Sequence, residues 1–169
     1  ENYRGGSVLV PRIHHCYADA LALAQVMLAL ADTAPHRRKK RDTRIVGPPR
    51  IVVVGHCAAG KSTLVNGLRD AGIDAYVSAQ EHSIVPDLWN RRGPDLLVFL
   101  DVDLDTIRRR RGRSWPASVY AMQERRLAPA RGNADLEIRT SDVNTIETLS
   151  RTLDLAEQWR AATNDGRAM

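Results

Sequence analysis

The residues whose types and spacing most clearly suggest chemistry are residues 55–62, which read GHCAAGKS. They fit the pattern G-x-x-x-x-G-K-[ST] at every fixed position. In this pattern the glycines let backbone N–H groups surround a phosphate, and a following helix points its positive end at the same anion. The segment therefore predicts a site for a nucleoside triphosphate.

Individual side chains in this segment have specific expected roles. Lys61 is expected to reach the β- and γ-phosphates, and the Ser62 hydroxyl is expected to bind Mg²⁺. Thr63 is the candidate for the α-phosphate, whereas His56 and Cys57 occupy variable positions that need no particular chemistry. The residues predicted to bind the cofactor, ATP with Mg²⁺, are Gly55, His56, Cys57, Ala58, Ala59, Gly60, Lys61, Ser62 and Thr63.

The segments on either side of this motif support the prediction. Residues 51–54 form an apolar, β-branched run, which is typical of a buried strand. A helix is predicted over about residues 61–71, with Leu64, Val65 and Leu68 on one face and Gly72 as its stop. The alternative is a glycine turn that fits the pattern by chance. The position of the motif between a strand and an amphipathic helix argues against this alternative.

After residue 50 the chain alternates between strand and helix signals, which predicts an α/β fold with a parallel sheet covered by helices. Further strands are predicted over about residues 73–79, 96–100 and 135–139. Together with the first apolar run, they make a sheet of four strands.

Three more helices are predicted. The first covers about residues 104–111 and ends at a glycine, and the second begins at residues 114–116 and stops before Pro129. The last begins where Asn144 and Glu147 form a capping-box pattern. We expect residues 1–48 to form a helical extension with a basic linker, residues 49–162 the folded domain, and residues 163–169 a frayed tail.

Two further segments carry a family resemblance. Residues 94–102 read PDLLVFLDV, and residues 105–113 read DTIRRRRGR. With the glycine-rich motif, they make residues 50–160 similar to the P-loop small-molecule kinases, which include thymidylate, shikimate and dephospho-coenzyme A kinases. The resemblance implies a three-layer P-loop NTPase fold with a short parallel sheet flanked by helices. It also implies transfer of the γ-phosphate of ATP to a small metabolite.

In such kinases a similar arginine run leads into a lid that closes over ATP. Residues 102–131 contain eight arginines and three acidic residues. Phosphoryl transfer mainly requires negative oxygens to be positioned and neutralised, which arginines can do. Because four consecutive arginines cannot all face one ligand on a helix, we select Arg109, Arg113 and Arg126 as catalytic candidates beside Lys61. A solvated basic helix is the alternative.

Two acidic residues compete for the carboxylate role. Glu81, just after the second predicted strand, is the catalytic candidate, since it could orient metal-bound water or accept a proton, with His82 as a neighbouring base. Asp101 ends the third predicted strand and is the second metal-binding candidate beside Ser62. An ordinary polar loop remains the alternative for the segment around Glu81. The order of the strands, which the sequence leaves open, decides between the two carboxylates.

The chain departs from the kinase pattern in two ways. These kinases usually have five core strands, and here only about ten residues separate Ser83 from Pro94. We therefore expect the phosphoryl acceptor to be small, or to bind an exposed surface over residues 89–92. The alternative function is a nucleotide-binding regulatory module or weak ATPase without a dedicated acceptor. An ATPase linked to nucleic acid is a third possibility, motivated only by basic residues 36–44.

The charge distribution argues against nucleic acid as a partner of the domain. Residues 1–50 carry nine Lys/Arg and four Asp/Glu, whereas residues 51–169 carry sixteen of each. The apolar run at residues 17–32 is too short and too interrupted for a membrane span. The two cysteines, Cys16 and Cys57, are far apart and form no disulfide pattern. A cytoplasmic protein is the expectation.

Overall fold

The computed structural model describes residues 47–165. Their fold is α/β, as predicted, and most of the N-terminal extension and the last four residues of the predicted tail lie outside this range. None of the described helices is both long and apolar enough to cross a membrane. The strands are β1 (Ile51–Gly55), β2 (Ala75–Val77), β3 (Leu96–Asp101) and β4 (Leu136–Arg139). The helices are α1 (Lys61–Asp70), α2 (Leu104–Arg111), α3 (Ala117–Arg131) and α4 (Thr145–Asp165).

The four strands form one parallel sheet in the order β2-β1-β3-β4. The strand that precedes the glycine-rich loop therefore has a neighbour on each side. Ile51 in β1 pairs with Ala75 in β2 and with Leu96 in β3. Because the strands are parallel, the loops that follow them all leave from one edge of the sheet, where ligands bind in open α/β folds.

Helices cover both faces of the sheet, which explains why β1 is apolar throughout and fully buried. Alternate residues of each strand point to opposite faces. One face packs against α1, α2 and α4 through residues that include Val53, Leu68, Leu100, Ile107 and Ala156. The other face packs against α3 through Val54, Phe99, Leu127 and Ala130.

Several predicted boundaries differ from the structure. Pro129 was expected to end α3 at residue 128, but the helix continues to Arg131 with the proline inside its last turn. Buried Ala130 and the ion pairs of Arg131 hold that turn in place. Only three residues of the second predicted strand pair with β1. The final helix reaches Asp165, so the first residues of the predicted tail are helical.

The N-terminus of α2 provides a test of capping. The Asp103 carboxylate accepts hydrogen bonds from the Thr106 N–H at 2.7 Å and from the Thr106 hydroxyl at 3.0 Å. Asp103→Ala removes both acceptors, and we expect a loss of about 1 kcal/mol in the free energy of unfolding at pH 7. Chemical denaturation measures this change.

The pH dependence of the cap follows from its charge. Hydrogen bonds from the Ser141 hydroxyl and the Thr106 amide hold the pKa of Asp103 well below its ordinary value. Its ionic contribution is therefore present above a pH of about 3.9 and is lost as the pH falls below that value. Asp103→Asn keeps a neutral cap, so its free energy of unfolding should not fall with pH in this way. If the wild type remained more stable than Asp103→Asn at low pH, the ionic role given to Asp103 would be contradicted.

Candidate functional site

The glycine-rich loop, residues 55–62, leaves β1 and turns directly into α1. Ala58 has a φ of 61° and Gly60 a φ of 91°, so two positions of this short loop are left-handed. Such turns direct successive backbone N–H groups to one side and form a concave site for anions. No side chain caps the start of α1, and the free amides of that helix terminus therefore point into the same region.

Gly55 is required by close packing at the end of β1. A Cβ atom built there would lie 2.2 Å from the Leu100 backbone carbonyl oxygen, and the φ of Gly55 is +154°. Because backbone cannot move away cheaply, we expect Gly55→Ala to lower the free energy of unfolding by about 3 kcal/mol. Thermal and chemical denaturation measure this effect.

Gly72 supplies the matched control for that substitution. It also has a positive φ, of +80°, but no atom lies within 4 Å of the position a Cβ would take. Gly72→Ala should cost only the conformational strain, about 1 kcal/mol. Equal losses for the two variants would show that the contact with the neighbouring strand is unimportant.

Lys61 lies at the centre of the site. Its ammonium group donates hydrogen bonds to the carbonyl oxygens of Gly55 at 2.9 Å and His56 at 2.8 Å. It also lies 2.6 Å from Glu81 Oε1, and both side chains are largely buried, with exposed fractions of 10% and 5%. The loop folds around its own lysine, and a buried carboxylate from the 3₁₀ turn after β2 partners that lysine.

Two adjoining cavities open beside the loop. The larger, of about 400 Å³, contains Lys61, Ser62, Glu81 and His82. The smaller, of about 250 Å³, lies toward β4 and the start of α4 and is lined by Thr140 and Thr148. Both cavities are lined by Ala58, Ala59 and Gly60 of the loop, by Thr63 of α1 and by Arg110 of α2.

The strand order alone does not decide between the two candidate carboxylates, because β2 and β3 both neighbour β1. Glu81 follows β2 and lines the larger cavity, whereas Asp101 ends β3 and does not line it. Asp101 instead lies 3.1 Å from Arg131 and 3.7 Å from Nδ1 of His56, on the side of the loop that faces α3. Of the two predicted metal-binding residues, Ser62 lines the larger cavity together with Glu81, and Asp101 does not.

His56 has a structural environment that sequence reasoning did not anticipate. It is fully buried, stacks on Tyr120, and lies 2.5 Å from Glu124 through Nε2. Burial lowers the pKa of His56, while the Glu124 and Asp101 carboxylates oppose that shift. The contacts tie the beginning of the loop to α3, so this residue does more than fill a variable position.

Cys57 also connects the loop to α3. Its backbone N–H donates to Gln123 Oε1 at 3.3 Å, and Gln123 Nε2 donates to Cys57 Sγ at 3.0 Å. The thiol lies 3.5 Å from Nε2 of His82 and is almost fully buried. Burial and, to a smaller extent, the Glu81 carboxylate raise the pKa of this thiol.

The arginines near the site are only partly those selected by sequence. Arg110 Nη1 donates to the Ala58 carbonyl oxygen at 2.8 Å, and Arg111 lines the larger cavity. Of the predicted arginines, Arg126 approaches through its contact with the Glu81 carbonyl oxygen at 3.4 Å. Arg109 donates a hydrogen bond to the Thr106 hydroxyl on its own helix, and Arg113 is exposed between α2 and α3.

The surface proposed for an acceptor is not as predicted. Trp89 is 5% exposed and packs in the core on the face of the sheet that α3 covers. Its carbonyl oxygen accepts a hydrogen bond from the Tyr76 hydroxyl. Arg92 is exposed and lies over the Tyr76 ring, 4.2 Å from its centroid. An acceptor surface built on the tryptophan is therefore wrong, because that side chain is needed for packing.

The sequence matches no protein-family model, and no curated protein is a significant match to it. The function must therefore be inferred from the residues of the site. A lysine, a hydroxyl and a carboxylate share one cavity at the start of an uncapped helix. Chemically, such an arrangement suits a polyanion that arrives with a hard divalent cation.

Proposed function

We propose that the protein is an ATP- and Mg²⁺-dependent kinase that transfers the γ-phosphate to a small metabolite, on a P-loop NTPase fold. The observation that carries the proposal is the proximity of Lys61, Ser62 and Glu81 in one cavity beside the glycine-rich loop. This set supplies a cation for the phosphates, an oxygen for the metal and a carboxylate for the reacting hydroxyl.

The phosphates are assigned to the larger cavity. The left-handed residues Ala58 and Gly60 line this cavity together with Lys61 at the start of α1, where we expect backbone N–H groups to bind phosphate oxygens. Lys61 is close enough to exchange its carbonyl and carboxylate partners for phosphate oxygens. Arg110 and Arg111 add positive charge at the cavity wall, where developing charge on the transferring group is stabilised.

The nucleoside is assigned to the smaller cavity, which continues from the phosphate region. Its walls combine hydroxyl groups from Thr140, Thr145 and Thr148 with the apolar side chains of Leu64 and Val143. Pockets that orient a small molecule are commonly built from such a mixture of apolar surface and a few polar groups.

The residues present fit a magnesium ion. The Ser62 hydroxyl and the Glu81 carboxylate both offer oxygen atoms as metal ligands, and Glu81 Oε2 is buried without a hydrogen-bond partner. Magnesium would supply charge neutralisation to the phosphates when bound. The role assigned to Glu81 itself is to orient the acceptor hydroxyl or to accept its proton.

The test is a search for product with the full chain, ATP, Mg²⁺ and a panel of small hydroxyl- or phosphate-bearing metabolites. The expected result is ADP formation together with one phosphorylated metabolite. ATP binding with only slow hydrolysis across the panel would favour the nucleotide-binding module instead. Failure to bind ATP at all would rule out both functions. Since the reaction depends on abundant ATP, we also propose a cytoplasmic location.

A further inference from the structure

Three side chains in the larger cavity offer the ligand types that zinc prefers. Cys57, Glu81 and His82 each place one ligand atom within 4.8 Å of the other two. All three side chains line the cavity beside the glycine-rich loop. A thiolate, an imidazole and a carboxylate together suit a borderline-soft divalent ion, whereas magnesium selects oxygen ligands.

Two of the three ligand separations are close to those of tetrahedral coordination, and the third is within 4.8 Å. With Zn–S bonds of about 2.3 Å and Zn–N and Zn–O bonds of about 2.1 Å, the sulfur and nitrogen are separated by about 3.6 Å, and the nitrogen and oxygen by about 3.4 Å. Here Cys57 Sγ lies 3.5 Å from His82 Nε2, and that nitrogen lies 3.7 Å from Glu81 Oε1. Because Glu81 Oε1 already pairs with the Lys61 ammonium at 2.6 Å, the ion would bind Oε2 after side-chain rotation, or it would displace that ammonium.

The surroundings of the three ligands also point to a cation. Glu81 is 4% exposed, and its Oε2 has no hydrogen-bond partner although it is buried. A bound cation would satisfy that oxygen. Gln123 Nε2 already donates a hydrogen bond to Cys57 Sγ at 3.0 Å, as outer-shell groups do in metal sites.

We infer that Cys57, Glu81 and His82 form a zinc site with three protein ligands and one position left for water or another ligand. The inference does not depend on kinase activity, because the ligand set and its geometry are independent of any nucleotide. It also assigns a role to Cys57, which has none in the proposed phosphoryl transfer.

Burial shifts the pKa values of two of the three side chains in this cluster, Cys57 and His82. Burial lowers the pKa of His82, and imidazole binds metals in its neutral form. Burial raises the pKa of the Cys57 thiol, so the ion must displace a proton from sulfur.

A second cluster of ligand-type residues is less suited to an ion. His56 approaches Glu124 through Nε2 and Asp101 through Nδ1, so the two carboxylates lie on opposite sides of the imidazole ring. One ion cannot use both nitrogens. Arg131 already lies close to both carboxylates, at 3.1 Å and 3.6 Å, and balances their charge.

Zinc and magnesium-bound nucleotide should exclude each other, because both require Glu81 in the same cavity. Zinc is therefore expected to act as an inhibitor of nucleotide binding. Nucleotide in excess should in turn release zinc, and a colorimetric chelator would detect the released ion.

The direct test uses the full chain with Co²⁺ as a spectroscopic probe and Zn²⁺ as its competitor. We expect one Co²⁺ per chain, a thiolate-to-cobalt charge-transfer band and the visible bands of tetrahedral cobalt, all removed by zinc. Cys57→Ser and His82→Asn should each weaken binding by about 100-fold or more, above the 10- to 100-fold typical of losing an outer-shell partner. Circular dichroism checks that both variants remain folded.

Two control variants establish whether the cobalt spectrum arises from these three ligands. Cys16→Ser alters the only other cysteine, which follows two histidines in the sequence, and should leave the cobalt spectrum unchanged. Ser62→Ala should retain zinc but lose magnesium-dependent nucleotide binding. The inference is overturned if Cys57→Ser binds zinc with wild-type affinity, or if the charge-transfer band disappears in Cys16→Ser.

Discussion

Replacing Lys61 with alanine is expected to lower kcat by at least 100-fold and to weaken ATP binding. In the proposed mechanism the ammonium group neutralises the transferring phosphoryl group, and loss of one such electrostatic contact typically costs about 10²- to 10³-fold in rate. Steady-state kinetics with the identified acceptor and ATP titration by calorimetry measure the two effects separately.

A control is needed because the same substitution leaves Glu81 buried without its cation. Breaking a buried ion pair from one side can cost about 3 kcal/mol in stability. The double variant Lys61→Ala/Glu81→Gln removes both charges and should recover much of that stability while remaining inactive. Full turnover by a folded Lys61→Ala protein at saturating ATP would refute the role given to the lysine.

Glu81→Gln is expected to reduce kcat by about 10²- to 10⁴-fold, the usual contribution of a positioned general base. ATP affinity should change much less than kcat, because the amide is nearly the same size and its loss of charge releases Lys61 for the phosphates. A large change in kcat with a small change in KM for ATP is therefore the expected pattern.

Asp101→Asn is the matched comparison, since it makes the same chemical change at the end of the neighbouring strand. Asp101 pairs with Arg131 outside the larger cavity, so its loss should lower the melting temperature and leave the kcat of the folded protein close to wild type. If Asp101→Asn instead abolished turnover and Mg²⁺ dependence while Glu81→Gln did not, the carboxylate assignment would have to be exchanged.

Local sequence signals predicted much of this fold. The apolar run of β1 and the glycine pattern after it needed only neighbouring residues, and α2 spans the predicted residues 104–111. The Asn144 side chain accepts a hydrogen bond from the Glu147 N–H at 2.9 Å, which confirms the predicted start of α4. These features depend on backbone preferences within one or two turns, so the sequence specifies them directly.

Other features depend on contacts between distant segments. The choice of Glu81 over Asp101 beside Lys61 follows from contacts that no local pattern encodes: Glu81 pairs with Lys61, whereas Asp101 lies beside Arg131 and His56. Arg110 was missed for a related reason, because its position over Ala58 depends on how α2 packs against the loop. Pro129 is a local stop signal that burial of the last helical turn overrides.

The ion pair between Lys61 and Glu81 has a consequence for selectivity. Glu81 is tethered beside the ammonium group, so it competes with every anion at an effective concentration that dilution cannot change. A weakly charged anion gains too little binding energy to displace the Glu81 carboxylate from Lys61. A polyphosphate can displace it because it offers several charged oxygens at once. We therefore expect the site to favour triphosphates strongly over inorganic phosphate, even before any base is recognised.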